Sequence, residues 1–502
     1  MKLITNGLIW RGPGTDPRHR LENILIEGGR ITAVGPEVAR EGAEVIDAAG
    51  MLVLPGLVNA HFHSPVNHMK GQLPSLPLEL FMLYESPALE VLRPTPREAY
   101  VRTLLACMEM LRSGVTAVQD DAFFVPHPTP EIIDAVAQAY EDCGIRARLA
   151  LDQSDLPEAA KLPYLADLVP PEWRAALAAP PAFGRAGLLE CYDHLISRWH
   201  GAAGGRLRAA ASCSAPQRVT PDYAAALQAL AERHDLPLYI HILETRTQRA
   251  FGEERLGGRS LVHLADELGL LSPHANVIHA IWVDDGDLDL IARRGAVIAH
   301  NPISNLRLGS GVMRFRAIRD RAIPVALGSD EAIADDAVNM WAVAKMTGLI
   351  HNIGAADYAT WPSAGEVLDC LIAGGHAAMR NADIGAIAPG QAADLALLDL
   401  DTLAFTPLND LARQLVYCET GSSVRLTMVA GQVVFAEDRI TTLDEPALRA
   451  EARAIAAGRR EALEQAAAEV APLLPAYREM YLRAAARDVG MNRWIGTGDG
   501  PC

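Results

Sequence analysis

Two histidines close the apolar run Pro55-Gly56-Leu57-Val58-Asn59-Ala60-His61-Phe62-His63. On an extended strand, side chains i and i+2 share a side. His61 and His63 therefore aim two imidazole nitrogens at one point, an arrangement suited to a divalent metal. Such a pair alone fits two core histidines equally well. Other polar groups tip the balance, because they recur at the ends of further apolar runs: His241 with Glu244 three residues on, His279, His300-Asn301 and Asp330. Core packing does not call for polar groups at the same end of five strands. His61, His63, His241 and Asp330 make a mononuclear site for a divalent metal, with one position open to water. A metal there lowers the pKa of that water toward neutrality. His279 is placed to orient or deprotonate the water, Glu244 to pass a proton to a ring nitrogen or leaving group, and Asp330 to ligate and accept a proton.

These residues need a frame that brings strand ends together. Strand-like runs begin at Leu57, Ala117, Ala147, Leu207, Leu238, Asn276, Ala296 and Pro324, with helix-like runs at 96–113, 130–143, 187–199, 221–234, 260–270, 284–294 and 312–321. Eight strands alternating with helices predict parallel βα units closed into a (β/α)8 barrel, with the polar residues at its C-terminal mouth; an open doubly wound sheet is the rival. The long stretches 64–93 and 154–186 read as loops over that mouth. Residues 1–56 read as short strands with a hairpin at Gly28-Gly29, and a similar β signal returns at 393–436. The two ends are therefore expected to pair into one composite β-sandwich. The predicted division is 1–56 and 385–445 for the sandwich, 57–384 for the barrel, and 446–502 for C-terminal helices and a loose tail from Gly496 to Cys502.

The 502 residues are half hydrophobic, so a large core is available. With 45 basic and 62 acidic residues the net charge is −17, which argues against nucleic acid or an anionic membrane as partner. Seven dispersed cysteines without a CxxC suggest reduced thiols, and the N-terminus lacks an apolar signal core, so a cytoplasmic protein is expected.

The segments PGLVNAHFH, HILET, VIHAIWV, HNPISNLRLGSG and ALGSD together resemble the signature segments of the amidohydrolase superfamily. The closest likeness is to its metal-dependent aminohydrolase and chlorohydrolase branch, which includes S-adenosylhomocysteine, guanine and cytosine deaminases and s-triazine hydrolases. The resemblance spans nearly the whole chain. It implies His61, His63, His241 and Asp330 as metal ligands, Glu244 and His279 as proton-handling residues, and Zn, with Fe as second choice, as the metal. It implies hydrolytic displacement of an amino group from an electron-poor nitrogen heterocycle, with hydroxide attack and release of ammonia.

Binuclear members of the superfamily carry a carboxylated lysine on the fourth strand. Leu207-Arg-Ala-Ala-Ala-Ser-Cys-Ser has no lysine, which points to one metal, with Cys213 packing nearby rather than ligating. Adenosine-type members carry a histidine before Ala-Pro, where this chain has Ser214. Phe81, Met82 and Tyr84 are candidates to wall a flat ring. Gln217 and Glu79 are candidate hydrogen-bonders to its nitrogens, Asn301 is a further candidate substrate contact, and Asn301, Ser304 and Asn305 shape the loop over the site. His68, His127 and His300 are read as lying around the site rather than in it.

The function expected is a deaminase of a small aminated pyrimidine, purine or s-triazine. An s-triazine chlorohydrolase is the near alternative, and a catalytically inactive ligand-binding barrel is the alternative of another class. A homo-oligomer is expected, with the first-strand loop or the C-terminal helices as its interface.

Overall fold

The structure is a computed structural model that describes residues 1–12, 19–335 and 337–494; the expected tail from Gly496 to Cys502 lies outside them. At its centre are parallel strands. One five-stranded sheet holds Asp330–Glu331, Leu57–His63, Val115–Ala122, Arg146–Leu151 and Leu207–Ala209. The other holds Ala211–Ser212, Leu238–Ile242, Ala275–His279, Val297–His300 and Val325–Leu327. Two stretches of chain pass from one sheet to the other. Across Ala210, the amide of Ala210 bonds Leu149 O at 2.8 Å, while that of Ala211 bonds Pro237 O at 2.9 Å. Across Gly328-Ser329, the amide of Gly328 bonds His300 O at 3.0 Å and that of Ser329 bonds Asn59 Oδ1 at 3.0 Å. Every residue of Leu57–His63, Val115–Ala122 and Arg146–Leu151 is buried. Burial on both faces explains why these strands lack a strict apolar-in, polar-out alternation.

Between the strands lie the helices their sequences specify. Pro96–Arg112 starts in a capping box between Thr95 and Glu98, and Asp285–Arg294 in one between Asp284 and Asp287. Pro130–Cys143 and Pro221–His234 begin with proline in the first turn, where no amide donor is needed. The runs expected at 260–270 and 312–321 shorten to Leu261–Glu267 and Phe315–Asp320. Helices outside the expected runs include Arg246–Arg255, which is polar and capped by Thr245, Pro302–Arg307, whose opening Asn-Pro reads as a turn, Met340–Ile350 and Leu411–Tyr417. The stretches taken as long loops also contain helix, including Leu78–Glu85 in the first and Pro171–Ala178 in the second. They are covered by the C-terminal helix Leu474–Ala486: Leu80, Leu83, Leu165 and Val169 pack with Leu473, Tyr477 and Met480. Part of the apolar surface of these segments is thus buried within the chain.

Both chain ends meet in one nine-stranded sheet. The expected sandwich is a single hydrogen-bonded sheet with its own core of Ile4, Ile9, Ile24, Ile26, Leu395, Leu397 and Met428. Strand Met51–Pro55 joins the halves, lying between Lys2–Trp10 and Leu395–Asp399. Gly29, at φ 79°, lies where the two hairpin turns touch, and a Cβ there would come within 2.6 Å of Ala430 O. Asp394 ties this sheet to the central strands. It takes Arg146 Nε at 2.9 Å and Nη2 at 3.1 Å, both out of water, and the amide of Ala430 at 2.7 Å. Asp394→Ala leaves a buried guanidinium unpaired and is expected to cost about 3–5 kcal/mol, read as a lower denaturant midpoint with unchanged slope.

Candidate active site

His61 and His63 point to one side of their strand, and Phe62 between them is fully buried in the main apolar core. The imidazole rings of His61, His63, His241 and His279 gather: His61 lies 4.6 Å from His63, 4.9 Å from His241 and 5.8 Å from His279 between centroids. Asp330 faces them, with Oδ1 3.4 Å from His61 Nε2 and 3.5 Å from His63 Nε2, and Oδ2 3.8 Å from His279 Nε2. Glu244 Oε2 lies 3.5 Å from His279 Nε2 on the other side. The six residues singled out from the sequence as metal-binding or proton-handling are therefore brought together.

Local backbone geometry aims them. Ser214, Leu243, His279 and Asp330 all have positive φ, between 51° and 71°. This left-handed conformation is uncommon for non-glycine residues and clusters at functional sites. Gly328 makes room beside it: a Cβ there would meet Asn301 Oδ1 at 2.4 Å, His61 Cβ at 2.8 Å and His61 N at 2.9 Å. Asn59 fixes the same approach, donating Nδ2 to Ser329 Oγ at 2.7 Å. Gly328→Ala is expected to push the His61 strand aside, costing about 1–3 kcal/mol of stability. It should also lower bound metal at least about tenfold by elemental analysis, the scale on which ligand misalignment acts.

The histidines are prepared as ligands by their outer partners. His63 Nδ1 bonds the carbonyl of Asp121, and His241 Nδ1 bonds that of Ser214 at 2.8 Å. A carbonyl can only accept, so both Nδ1 atoms carry hydrogen and both Nε2 lone pairs are free. Nε2 of His61 is buried and makes no hydrogen bond among the described residues. Burial lowers the His61 pKa to about 4 and holds His241 well below the ordinary histidine range. The neutral form is the one that binds metal. Ligating atoms of His61, His63 and Asp330 lie within 4.8 Å of one another, as do those of His61, His241 and His279. Unpaired, buried, neutral nitrogens facing a carboxylate fit a divalent metal.

The proton-handling groups have distinct settings. Burial pushes the Glu244 carboxyl well above its ordinary range, and the charges of Asp330 and Glu79 add to this. Asp330 is held well below its range: burial opposes this, but the facing His61, His279 and His63 outweigh it. Ser304 Oγ donates to Asp330 Oδ2 at 2.8 Å, and Asn305 Oδ1 lies 2.8 Å from His279 Nδ1. Both come from the Pro302–Arg307 helix that sequence reasoning missed. The residues were visible as turn formers, but not their contacts.

Other sequence candidates fall around this centre. Glu79 is buried, with Oε1 accepting from Thr245 Oγ1 at 2.6 Å and Oε2 free of hydrogen bonds among the described residues. Gln217 Oε1 and Asn301 Oδ1 are likewise buried and unpartnered. Asn301 Nδ2 lies 3.4 Å from His279 Nδ1. Phe81 is enclosed by Val66, Met69, Leu308 and Ile333, and Tyr84 packs against the cluster of the C-terminal helix. Met82 Sδ accepts from Arg218 Nη2 at 3.2 Å, and Arg218 Nη1 reaches Ser214 Oγ at 3.2 Å. His300 turns away and meets His351, Nε2 to Nε2, at 3.1 Å. Cys213 is buried and unpaired like four of the other described cysteines.

Four carboxyls escaped sequence reasoning: Asp121, Asp152, Glu85 and Glu331. Asp152 lies within ligating distance of His63 and His241. Asp121 is fully buried, with both carboxylate oxygens lacking hydrogen-bond partners among the described residues. Burial raises Glu85 to about 7 against its neighbour Glu331. The Asp120-Asp121 pair at the end of an apolar strand was the available signal.

Comparison with known proteins agrees with this architecture. The Amidohydrolase family profile matches residues 52–434. The chain is 34% identical over 436 residues to a 5-methylthioadenosine/S-adenosylhomocysteine deaminase of Nitratidesulfovibrio vulgaris, covering 86% of this chain and 91% of that protein. It is 31% identical over 431 residues to a 5'-deoxyadenosine deaminase of Methanosarcina mazei, at 86% and 91% coverage. Among solved structures, an adenosine deaminase from Xanthomonas campestris with bound Zn superposes at a TM-score of 0.77 and 26% identity, covering 93% of this chain and all of that one. An atrazine chlorohydrolase from Arthrobacter aurescens complexed with zinc shares the fold at a TM-score of 0.76 and 23% identity, over 91% and 100% of the two chains. The chain belongs to the amidohydrolase family.

Proposed function

We propose that the chain is a metal-dependent hydrolytic deaminase of an aminated nitrogen heterocycle, with an adenosine-type aminopurine as the first substrate class. One observation carries the reading: Glu244 and Asp330, two carboxyls held apart in pKa, flank His279 beside the rings of His61, His63 and His241. Such a split assigns one group as acid and the other as base. The relatives named above as deaminases of adenosine derivatives favour a purine over a triazine.

We assign His61, His63, His241 and Asp330 to one divalent metal, zinc first and iron second. In support, the Leu207–Ser212 stretch has no lysine to bridge a second metal. When bound, the metal supplies a water of near-neutral pKa. The chain's own groups do the rest. Asp330, steadied by Ser304, takes a proton from the attacking water, and His279, held by Asn305, orients that water. Glu244 gives its proton to the ring nitrogen next to the carbon attacked, making that carbon electrophilic. The proton collected on Asp330 then passes to the departing amine, ammonia leaves, and the hydroxyl left on the carbon returns its proton to Glu244 as it becomes the product carbonyl. Glu79, Gln217 and Asn301 offer unpaired oxygens that can accept from donor groups of the substrate, such as its exocyclic amine. Arg218 stands beside Ser214 where adenosine-type members carry histidine, so ring or ribose contacts there differ from theirs.

The same reading closes the two parallel sheets into a (β/α)8 barrel over 57–384, with the composite sheet from 1–56 and 385–445 and the C-terminal helices from 446. No helix among the described residues is long and apolar enough to cross a membrane. The test is ammonia release from 5'-deoxyadenosine, S-adenosylhomocysteine and adenosine, beside chloride release from atrazine. Ammonia from at least one purine is expected, lost on chelation and restored by zinc or iron. Chloride release without ammonia from any purine would overturn the proposal in favour of a chlorohydrolase.

A further inference from the structure

The family match ends at residue 434, yet the helix Glu445–Val470 reaches the neighbourhood of the site. There it walls a small, partly open cavity with Arg459 and Leu463. The cavity shares two residues with the histidine cluster's surroundings. Phe123 lies 5.7 Å from the His63 ring, and Glu85 is electrostatically coupled to His63 and Asp330.

Arg102 and Arg459 line this cavity together with His68. Arg102 is only 7% exposed, and its Nε, like that of Arg459, is buried without a hydrogen-bond partner among the described residues. Glu98 is the carboxylate near both. Its Oε1 stands 3.7 Å from Arg459 Nε, and its Oε2 is already engaged by the amide of Thr95 at 2.7 Å. Glu85 also lines the cavity, but burial raises its carboxyl to about 7, so two guanidinium groups sharing Glu98 leave positive charge over, in a chain whose net charge is −17. A buried guanidinium without a full set of acceptors is costly, and burial lowers the Arg102 pKa to about 10. The partner that relieves such a fork is a carboxylate or phosphate, which accepts in bidentate fashion.

We propose that this cavity binds an anionic group, carboxylate or phosphate, carried on the tail of the substrate whose heterocycle sits at the histidine cluster. Phe123 and Phe124 supply the apolar wall along which the linking part of the tail would lie. The proposal rests on the deaminase reading for the substrate, but the anion site is testable by itself. Succinate is the probe for binding, by calorimetry on the metal-loaded enzyme, with wild type compared against Arg102→Met and Arg459→Met. Any contribution from the metal is common to all three proteins.

Binding to the wild type is expected, and binding at least tenfold weaker to each variant. Bound metal and turnover of neutral 5'-deoxyadenosine should change less than twofold. Arg459 lies on an outer helix, so that variant stays informative if Arg102→Met fails to fold. In the kinetic arm, adenosine bearing a 5'-carboxylate or 5'-phosphate should lose at least tenfold in kcat/KM in the variants, through KM. Equal succinate binding by all three proteins, or none by the wild type, overturns the site. Succinate binding that depends on both arginines, with anionic and neutral substrates equally affected, makes a free anion the ligand and overturns the tail assignment. If no purine is deaminated, the deaminase reading fails while the succinate comparison still decides the cavity.

Discussion

His241→Ala is expected to emerge from purification without stoichiometric metal and with kcat/KM reduced by about 10⁴-fold, roughly 5.5 kcal/mol of barrier at about 1.4 kcal/mol per decade. The position is demanding because its ring is fixed from behind. Ser214 O holds Nδ1, so Nε2 faces His61 and His63 in a single orientation. Removing the ring takes away a ligand and leaves the Ser214 carbonyl unpaired as well. The readouts are metal per chain by elemental analysis and ammonia release before and after adding zinc. A variant that keeps full metal occupancy would remove His241 from the ligand set. Full turnover without metal would sink the whole site.

Glu244→Gln is expected to part metal from chemistry. The change is isosteric, Gln248 still accepts the amide of residue 244 at 2.8 Å, and the histidine cluster is untouched, so metal content should stay at the wild-type level. Turnover should fall by about 10²–10⁴-fold, the usual contribution of a positioned general acid. The sign of the pH effect follows from the direction of the shift. The Glu244 carboxyl titrates well above its ordinary range because it is buried. A group that works as an acid is competent below its pKa, so wild-type activity should decline as pH rises through that raised value. That alkaline limb should vanish in the residual activity of the glutamine variant. Wild-type turnover by Glu244→Gln, or an unchanged limb, would assign the proton to another group.

The first layer of the site could be read from the sequence because it sits on strands. Strand geometry converts spacing into direction, so His61-Phe62-His63 announced two side chains on one side, and the rim residues His241, His279 and Asp330 followed at strand ends. The second layer could not be read this way. Ser304 and Asn305 reach Asp330 and His279 from a short helix that opens with Asn-Pro, a signal shared with ordinary turns. Glu85 meets Glu331 from elements more than 200 residues apart, a contact without local pattern. Phe81 and Tyr84 show the limit of reading by residue type. Their types suit a ring wall, but their helix turns those faces toward its own apolar support. The composite sheet was legible because both ends carry hairpin signals, with glycine in positive φ at each turn.

That sheet also constrains how the chain is made. Met51–Pro55 is flanked by Lys2–Trp10, which a ribosome delivers first, and by Leu395–Asp399, which arrives some 340 residues later. Until then one hydrogen-bonding edge of a strand rich in leucine and valine has no neighbour, the condition under which nascent strands pair with other chains. Synthesis at about 5–20 residues per second makes that interval tens of seconds. Slow translation should therefore lower the yield of soluble protein more than it alters the properties of the protein that escapes. A chain permuted to place 385–445 directly before residue 1 would shorten the wait to the time needed to make one small sheet.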